Sequence, residues 1–130
     1  MRILVVAFVV LFLSSCKKEQ IVLQDQLYGK WKWEKSTGGI AGVTNLPVPG
    51  EWRTLEFFTS GKYEMKKNDS LEIEGNFHIE KMASQYSTDH EYAVVYENGP
   101  IPQIIRVLGR DLILLDNAND GFACFYVRIK

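Results

Sequence analysis

Leu71-Glu72-Ile73-Glu74-Gly75-Asn76-Phe77-His78-Ile79-Glu80 alternates apolar or small residues with polar ones along its whole length. A period of two marks a β-strand with one face packed and the other in water. The same period recurs on both sides of this run. Leu27, Gly29, Trp31 and Trp33 alternate with Tyr28, Lys30, Lys32 and Glu34. Leu55 and Phe57 alternate with Thr54, Glu56 and Phe58, and Tyr63 and Met65 with Lys62, Glu64 and Lys66. Later strands are predicted over His90–Glu97, Ile101–Leu108, Leu112–Asp116 and Phe122–Ile129. Turn residues separate them: Thr59-Ser60-Gly61, Asn68-Asp69-Ser70, Asn98-Gly99-Pro100, Gly109-Arg110-Asp111 and Asn117–Gly121.

The pattern predicts an all-β domain over 27–130 with eight strands in near-continuous antiparallel order. An up-and-down barrel is the natural solution, because closure removes exposed sheet edges. A two-sheet sandwich is the alternative. The interior of an eight-stranded barrel is either filled by side chains or holds one small ligand. Two segments break the rhythm. Ser36–Glu51 carries Gly38, Gly39, Gly42, Gly50, Pro47 and Pro49 and reads as a long loop; Lys81–Asp89 reads as a shorter polar one. Loops of such length are often functional.

The front of the chain has a different character. Arg2 precedes the wholly apolar run Ile3–Leu13, and Ser14-Ser15-Cys16 leads into the polar Lys17-Lys18-Glu19. A positive start, a short apolar core and small residues before a cut describe a secretory signal peptide over 1–15. The run is shorter than the roughly 20 residues a transmembrane helix needs. Leu13-Ser14-Ser15-Cys16 resembles the lipobox of bacterial lipoprotein precursors. The resemblance implies cleavage before Cys16, a diacylglycerol on its sulfur and usually a further chain, such as palmitate, on its amine. Two or more acyl chains anchor a protein firmly. The partner so implied is a membrane, with the outer membrane favoured by Lys17 after the lipidated position. Residues 16–26 then form the lipidated Cys and a polar tether.

Without Arg2, one of 15 Lys and Arg, the mature chain keeps all 16 Asp and Glu, a net charge of about −2. That gives no electrostatic case for nucleic acid. With Cys16 acylated, Cys124 has no disulfide partner. It sits in the apolar run Gly121–Tyr126 and reads as a buried, inert thiol.

Several short pieces resemble one family together. Leu27-Tyr28-Gly29-Lys30-Trp31 contains Gly-x-Trp, and Leu55–Tyr63 is a hairpin ending Gly-Lys-Tyr. Gly75-Asn76-Phe77-His78-Ile79 follows, and Tyr126-Val127-Arg128 stands in the last strand. Residues 27–130 thereby resemble the lipocalin-like lipoproteins of the Bacteroidota. The resemblance implies a barrel-closing set of Gly29, Trp31 and Arg128, with the indole plugging one end and the arginine packed over it. A guanidinium favours the face of an indole.

No catalytic constellation stands out. His78 and His90 belong to no cluster with metal-ligand spacing, and Glu72, Glu74 and Glu80 read as a solvated strand face beside His78. Asp116, Asn117, Asn119 and Asp120 lack the closing Glu of a calcium loop. The expectation is therefore no catalytic residue, no metal and no cofactor. The aromatics are the candidates for binding: Trp33, Phe57, Met65 and Phe77 as wall, with the hydroxyls of Tyr63, Tyr92 and Tyr96 as polar handles, and Trp52 at the mouth. Core packing is the competing role for the same side chains. The sequence thus points to a monomeric, non-enzymatic, membrane-anchored lipoprotein whose barrel binds a small apolar or amphipathic molecule. The alternative is a protein- or glycan-interaction module that uses the 36–51 and 81–89 loops over a filled barrel.

Overall fold

The computed structural model describes residues 18–130. The expected signal peptide and the expected lipidation at Cys16 lie outside the described residues. Within them the alternating runs form strands β1 (Gly29–Gly38), β2 (Val43–Asn45), β3 (Arg53–Phe57), β4 (Lys62–Lys67), β5 (Ser70–Ala83), β6 (His90–Tyr96), β7 (Gln103–Leu108), β8 (Asp111–Asp116) and β9 (Phe122–Ile129). The sheet order is β2-β1-β3-β4-β5-β6-β7-β8-β9, and β9 returns to pair with β1. Every pairing is antiparallel. The result is a closed eight-stranded up-and-down barrel, not a sandwich, and β2 is an extra strand beside the far end of β1.

The differences from the sequence reading have local causes. The segment read as a tether is helical over 18–27 (α1). Gln20, Leu23 and Leu27 fall on one helical stripe at i, i+3 and i+7. Leu27 is fully buried, Leu23 packs on the core, and Gln20 Nε2 donates to the Ile79 carbonyl at 2.9 Å. The 36–51 segment is not wholly loop. Ser36–Gly38 continue β1 and pair with Val43–Asn45. Lys81–Ala83 likewise extend β5 and pair with His90–Tyr92, so the second loop shrinks to 84–89.

Two β-bulges re-aim the alternation, since each inserts one unpaired residue. In β1 the ladder passes from Trp33–Tyr126 to Lys35–Phe125 and skips Glu34. Lys35 is thereby turned outward, with Nζ 4.8 Å from the Phe125 ring centre, and Ser36 joins the face of Trp31 and Trp33. In β5 the ladder passes from Ile73 to Leu71 and skips Glu72. Leu71, expected on the packed face, is 47% exposed as a result.

One end of the barrel is filled solid. Trp31, Leu55, Phe57, Tyr63, Phe77 and Tyr96 are buried there. Phe57 meets Phe77 at 4.8 Å and Tyr63 meets Tyr96 at 4.9 Å, both edge to face, the favoured arrangement of aromatic quadrupoles. Trp31 Nε1 donates to the Leu27 carbonyl at 2.9 Å. Arg128 lies over this indole with Cζ 4.1 Å from the ring centre. Its guanidinium also donates to the carbonyl of Tyr28 at 2.7 Å and to that of Gln26. Gly29 makes the approach possible: its φ is +122°, and a Cβ there would stand 2.5 Å from Arg128 Nη1.

Arg128→Ala should therefore lower the unfolding free energy in urea by about 2 kcal/mol, the cation–π contact and carbonyl hydrogen bonds being lost together. Gly29→Ala should also destabilise, and Arg128→Lys should restore little, since an ammonium cannot stack and fork at once. An unchanged urea midpoint for Arg128→Ala would refute the role given to this cap.

Candidate functional site

Away from the aromatic plug, the core face carries smaller and softer residues. β1 contributes Trp33 and Ser36, β4 Met65, β5 Ile73, and β9 Cys124 and Tyr126. They line a cavity of about 410 Å³. The register explains the grouping, because Trp33 pairs with Tyr126, Ser36 with Cys124, and Met65 with Ile73. The bulge at Glu34 decides the chemistry, since strict alternation would aim Lys35 into this space. Arg53, Lys66 and Glu72 stand at the rim, where Arg53 and Glu72 form an exposed ion pair at 3.3 Å.

Behind these charged residues the polar groups of the wall are neutral. Trp33 Nε1 donates to Ser36 Oγ at 2.8 Å, and Ser36 Oγ donates to Cys124 Sγ at 3.3 Å. Burial pushes the Cys124 thiol up, with Asp116 adding to the effect and the Ser36 hydrogen bond opposing it. Burial also pushes the Tyr126 phenol well above its ordinary range. Both therefore stay protonated at neutral pH. The Tyr126 hydroxyl has no hydrogen-bond partner among the described residues, which leaves a donor and acceptor free beside the cavity.

The seven residues singled out from sequence do not converge on one cavity. Trp33 and Met65 line this one. Phe57, Tyr63, Phe77 and Tyr96 belong to the plug instead, each at most 8% exposed. The two plug hydroxyls are consumed internally: Tyr63 donates to the Glu97 carbonyl at 2.6 Å and Tyr96 to Gln103 Oε1 at 2.8 Å. The cause is packing, since four large rings at one level of a narrow barrel leave no space between them. Trp52 is pinned to the β4–β5 turn, its Nε1 donating to Asp69 Oδ1 at 3.2 Å. The sequence reading missed Ser36, Ile73, Cys124 and Tyr126. Ile73 and Tyr126 had a usable signal, because alternation puts them on the faces of Phe77 and Arg128.

Tyr92 lies at a second recess, of about 700 Å³, where β6 and β7 part. These strands share only two register pairs, Ala93–Ile104 and Val94–Gln103, whereas β7 and β8 share six. Beyond them a side-chain ion pair, Glu91–Arg106, spans the gap. Its hydrogen bond holds the Glu91 carboxyl below the ordinary carboxylate range.

The cavity wall predicts the behaviour of Cys124. Iodoacetamide at pH 7.5 should alkylate it at least about tenfold more slowly in the folded protein than in urea, because the thiol is raised and shielded. Equal rates, read by peptide mass spectrometry, would remove Cys124 from the wall. No protein-family model, no curated protein and no solved structure matches the chain.

Proposed function

We propose that the protein is a membrane-anchored lipoprotein of the lipocalin-like type, and that its barrel binds one small apolar or amphipathic molecule above the Trp31 plug. One observation carries this reading: the barrel is filled at one end and holds a cavity of about 410 Å³ at the other. That volume lies within the range of small-molecule sites, which are mostly apolar with a few convergent polar groups. Trp33, Met65 and Ile73 provide the apolar wall. The Tyr126 hydroxyl and Ser36 provide the handles. The charged lining residues Arg53, Lys66 and Glu72 keep the entrance wet, Arg53 and Glu72 paired with each other, so the part of the ligand held against Trp33, Met65 and Ile73 is uncharged. The protein is a binder in this reading and not an enzyme.

The closed barrel and the Gly29–Trp31–Arg128 cap support the lipocalin-like assignment. The lipobox-like Leu13-Ser14-Ser15-Cys16 supports the anchor. Since α1 docks on the barrel, acyl chains on Cys16 would hold the domain close to the membrane rather than on a long leash.

A specific observation favours a second reading, docking of a partner on the rim. Ile40, Leu46 and Val48 of the 36–51 segment are 92%, 65% and 59% exposed, a row of apolar side chains in water. The 84–89 loop offers less, because Gln85 N donates to Asn117 Oδ1 at 2.9 Å and Tyr86 Oη to the Asp116 carbonyl at 2.6 Å.

Native mass spectrometry of protein extracted from membranes should show a small-molecule adduct. Ile73→Trp, which fills the cavity, should remove the adduct or weaken its binding by about tenfold or more, the scale of a lost pocket contact. No adduct, and no Trp33 fluorescence response to any of a panel of apolar probes, would end the binding reading and favour the rim. For the anchor, an alkyne fatty acid should label the wild type, and Cys16→Ser should lose both label and membrane association. Label retained by Cys16→Ser would overturn the lipid assignment.

A further inference from the structure

The recess at the β6–β7 seam has a chemistry that the barrel mouth lacks. Its apolar side is built by Leu23 of α1 with Ile105, Val107, Ile113 and Phe125. Ile105 and Val107 share the core face with Leu112 and Leu114, while Ile113 and Phe125 pair across the outer face with Arg106 and Lys35. The recess therefore draws on both faces of the wall. That is possible only where the wall is open, and β6–β7 is where the ladder stops after two pairs.

The charges at this opening are unbalanced. Lys81, His90, Glu91 and Arg106 surround it. Both carboxylate oxygens of Glu91 are engaged, Oε1 by Arg106 and Oε2 by Ser84 Oγ at 2.6 Å. Lys81 pairs with no carboxylate among the described residues; its ammonium stands 5.5 Å over the Tyr92 ring. Lys81 thus sits beside an apolar recess, with Lys35 over Phe125 on the outer side, while Glu91, the only carboxylate among the lining residues, is already engaged.

We propose that the seam is a second ligand site, selective for an amphiphile with an anionic head and an aliphatic tail, such as a long-chain carboxylate. The tail lies along Leu23, Ile105 and Val107. The head meets Lys81, and the unused edge of the Arg106 guanidinium adds to the field. The mouth cavity holds both signs of charge at its rim, with Arg53 paired to Glu72, and prefers uncharged groups; the seam prefers anions. The two sites are separate in space and in chemistry.

The test uses the acylated protein in phosphatidylcholine nanodiscs, with empty nanodiscs as blank, titrated with dodecanoate and with dodecanol. Dodecanoate should shift the methyl resonances of Ile105 and Val107, and dodecanol should bind several-fold more weakly. Lys81→Glu, at an exposed position that leaves the core intact, should weaken dodecanoate by roughly tenfold, the effect expected of reversing one partly solvated charge. Ile73→Trp, which fills the mouth, should leave dodecanoate binding unchanged. The proposal fails if dodecanoate gives no shifts at the seam, if dodecanol binds as tightly, or if Lys81→Glu has no effect. Loss of dodecanoate in Ile73→Trp would place the acid in the mouth, against the seam but in favour of the first site.

Discussion

The stacking of Arg128 on Trp31 is the interaction on which the rest of the barrel depends. It joins the last strand to the first, at the level where the sheet must close. The guanidinium has an aromatic face beneath it and carbonyl oxygens of Gln26 and Tyr28 at its edge. These contacts use both properties that distinguish it from an ammonium, its planarity and its fork of donors. The same arginine thereby fixes the end of α1, the start of β1 and the pairing of β1 with β9. Gly29 is part of the same device, since a side chain there would occupy the space of the guanidinium. Once this end is shut, the plug of Phe57, Tyr63, Phe77 and Tyr96 has a floor to pack on, and the remaining volume is left at the other end.

The barrel was legible because its signal is periodic and repeated. Each run from Gly29 to Ile129 that alternates in sequence is a strand in the structure, although Leu27, read with the first of them, ends α1, and Gly-x-Trp with a late arginine marked the closing pair. α1 was hidden because its stripe is only Gln20, Leu23 and Leu27, with Ile21 and Val22 on the exposed side blurring the period. The bulges were hidden for a different reason. One skipped residue leaves no mark in composition, yet each puts the side chains on its two sides out of phase across the sheet. Leu71 was misplaced for that reason, and Ser36 was overlooked.

The candidate site was legible only in part, and the reason is geometric. Sequence gives the face on which a side chain lies but not its height along the barrel axis. Trp33 and Phe57 are equivalent by alternation, yet the first borders open space and the second is enclosed by rings. Height follows from the stagger between strands, which is set by the bulges and by the uneven lengths of the ladders. β5 illustrates this: its first half pairs with β4 and its second with β6, so one long strand serves two levels. The short β6–β7 ladder is the opposite case, a place where the stagger leaves two neighbours without enough overlap.

Closure by the first and last strands also has a kinetic meaning. The Arg128–Tyr28 hydrogen bond links residues 100 positions apart. Such contacts carry a large loop-closure cost that is met only after the intervening chain is ordered, so topologies of this kind fold slowly. Until β9 arrives, β1 presents an unpaired edge with two tryptophans, a template for association with other chains. The molecule is therefore most vulnerable between emergence of its first strand and docking of its last, and a chaperone that shields β1 during that interval would protect it.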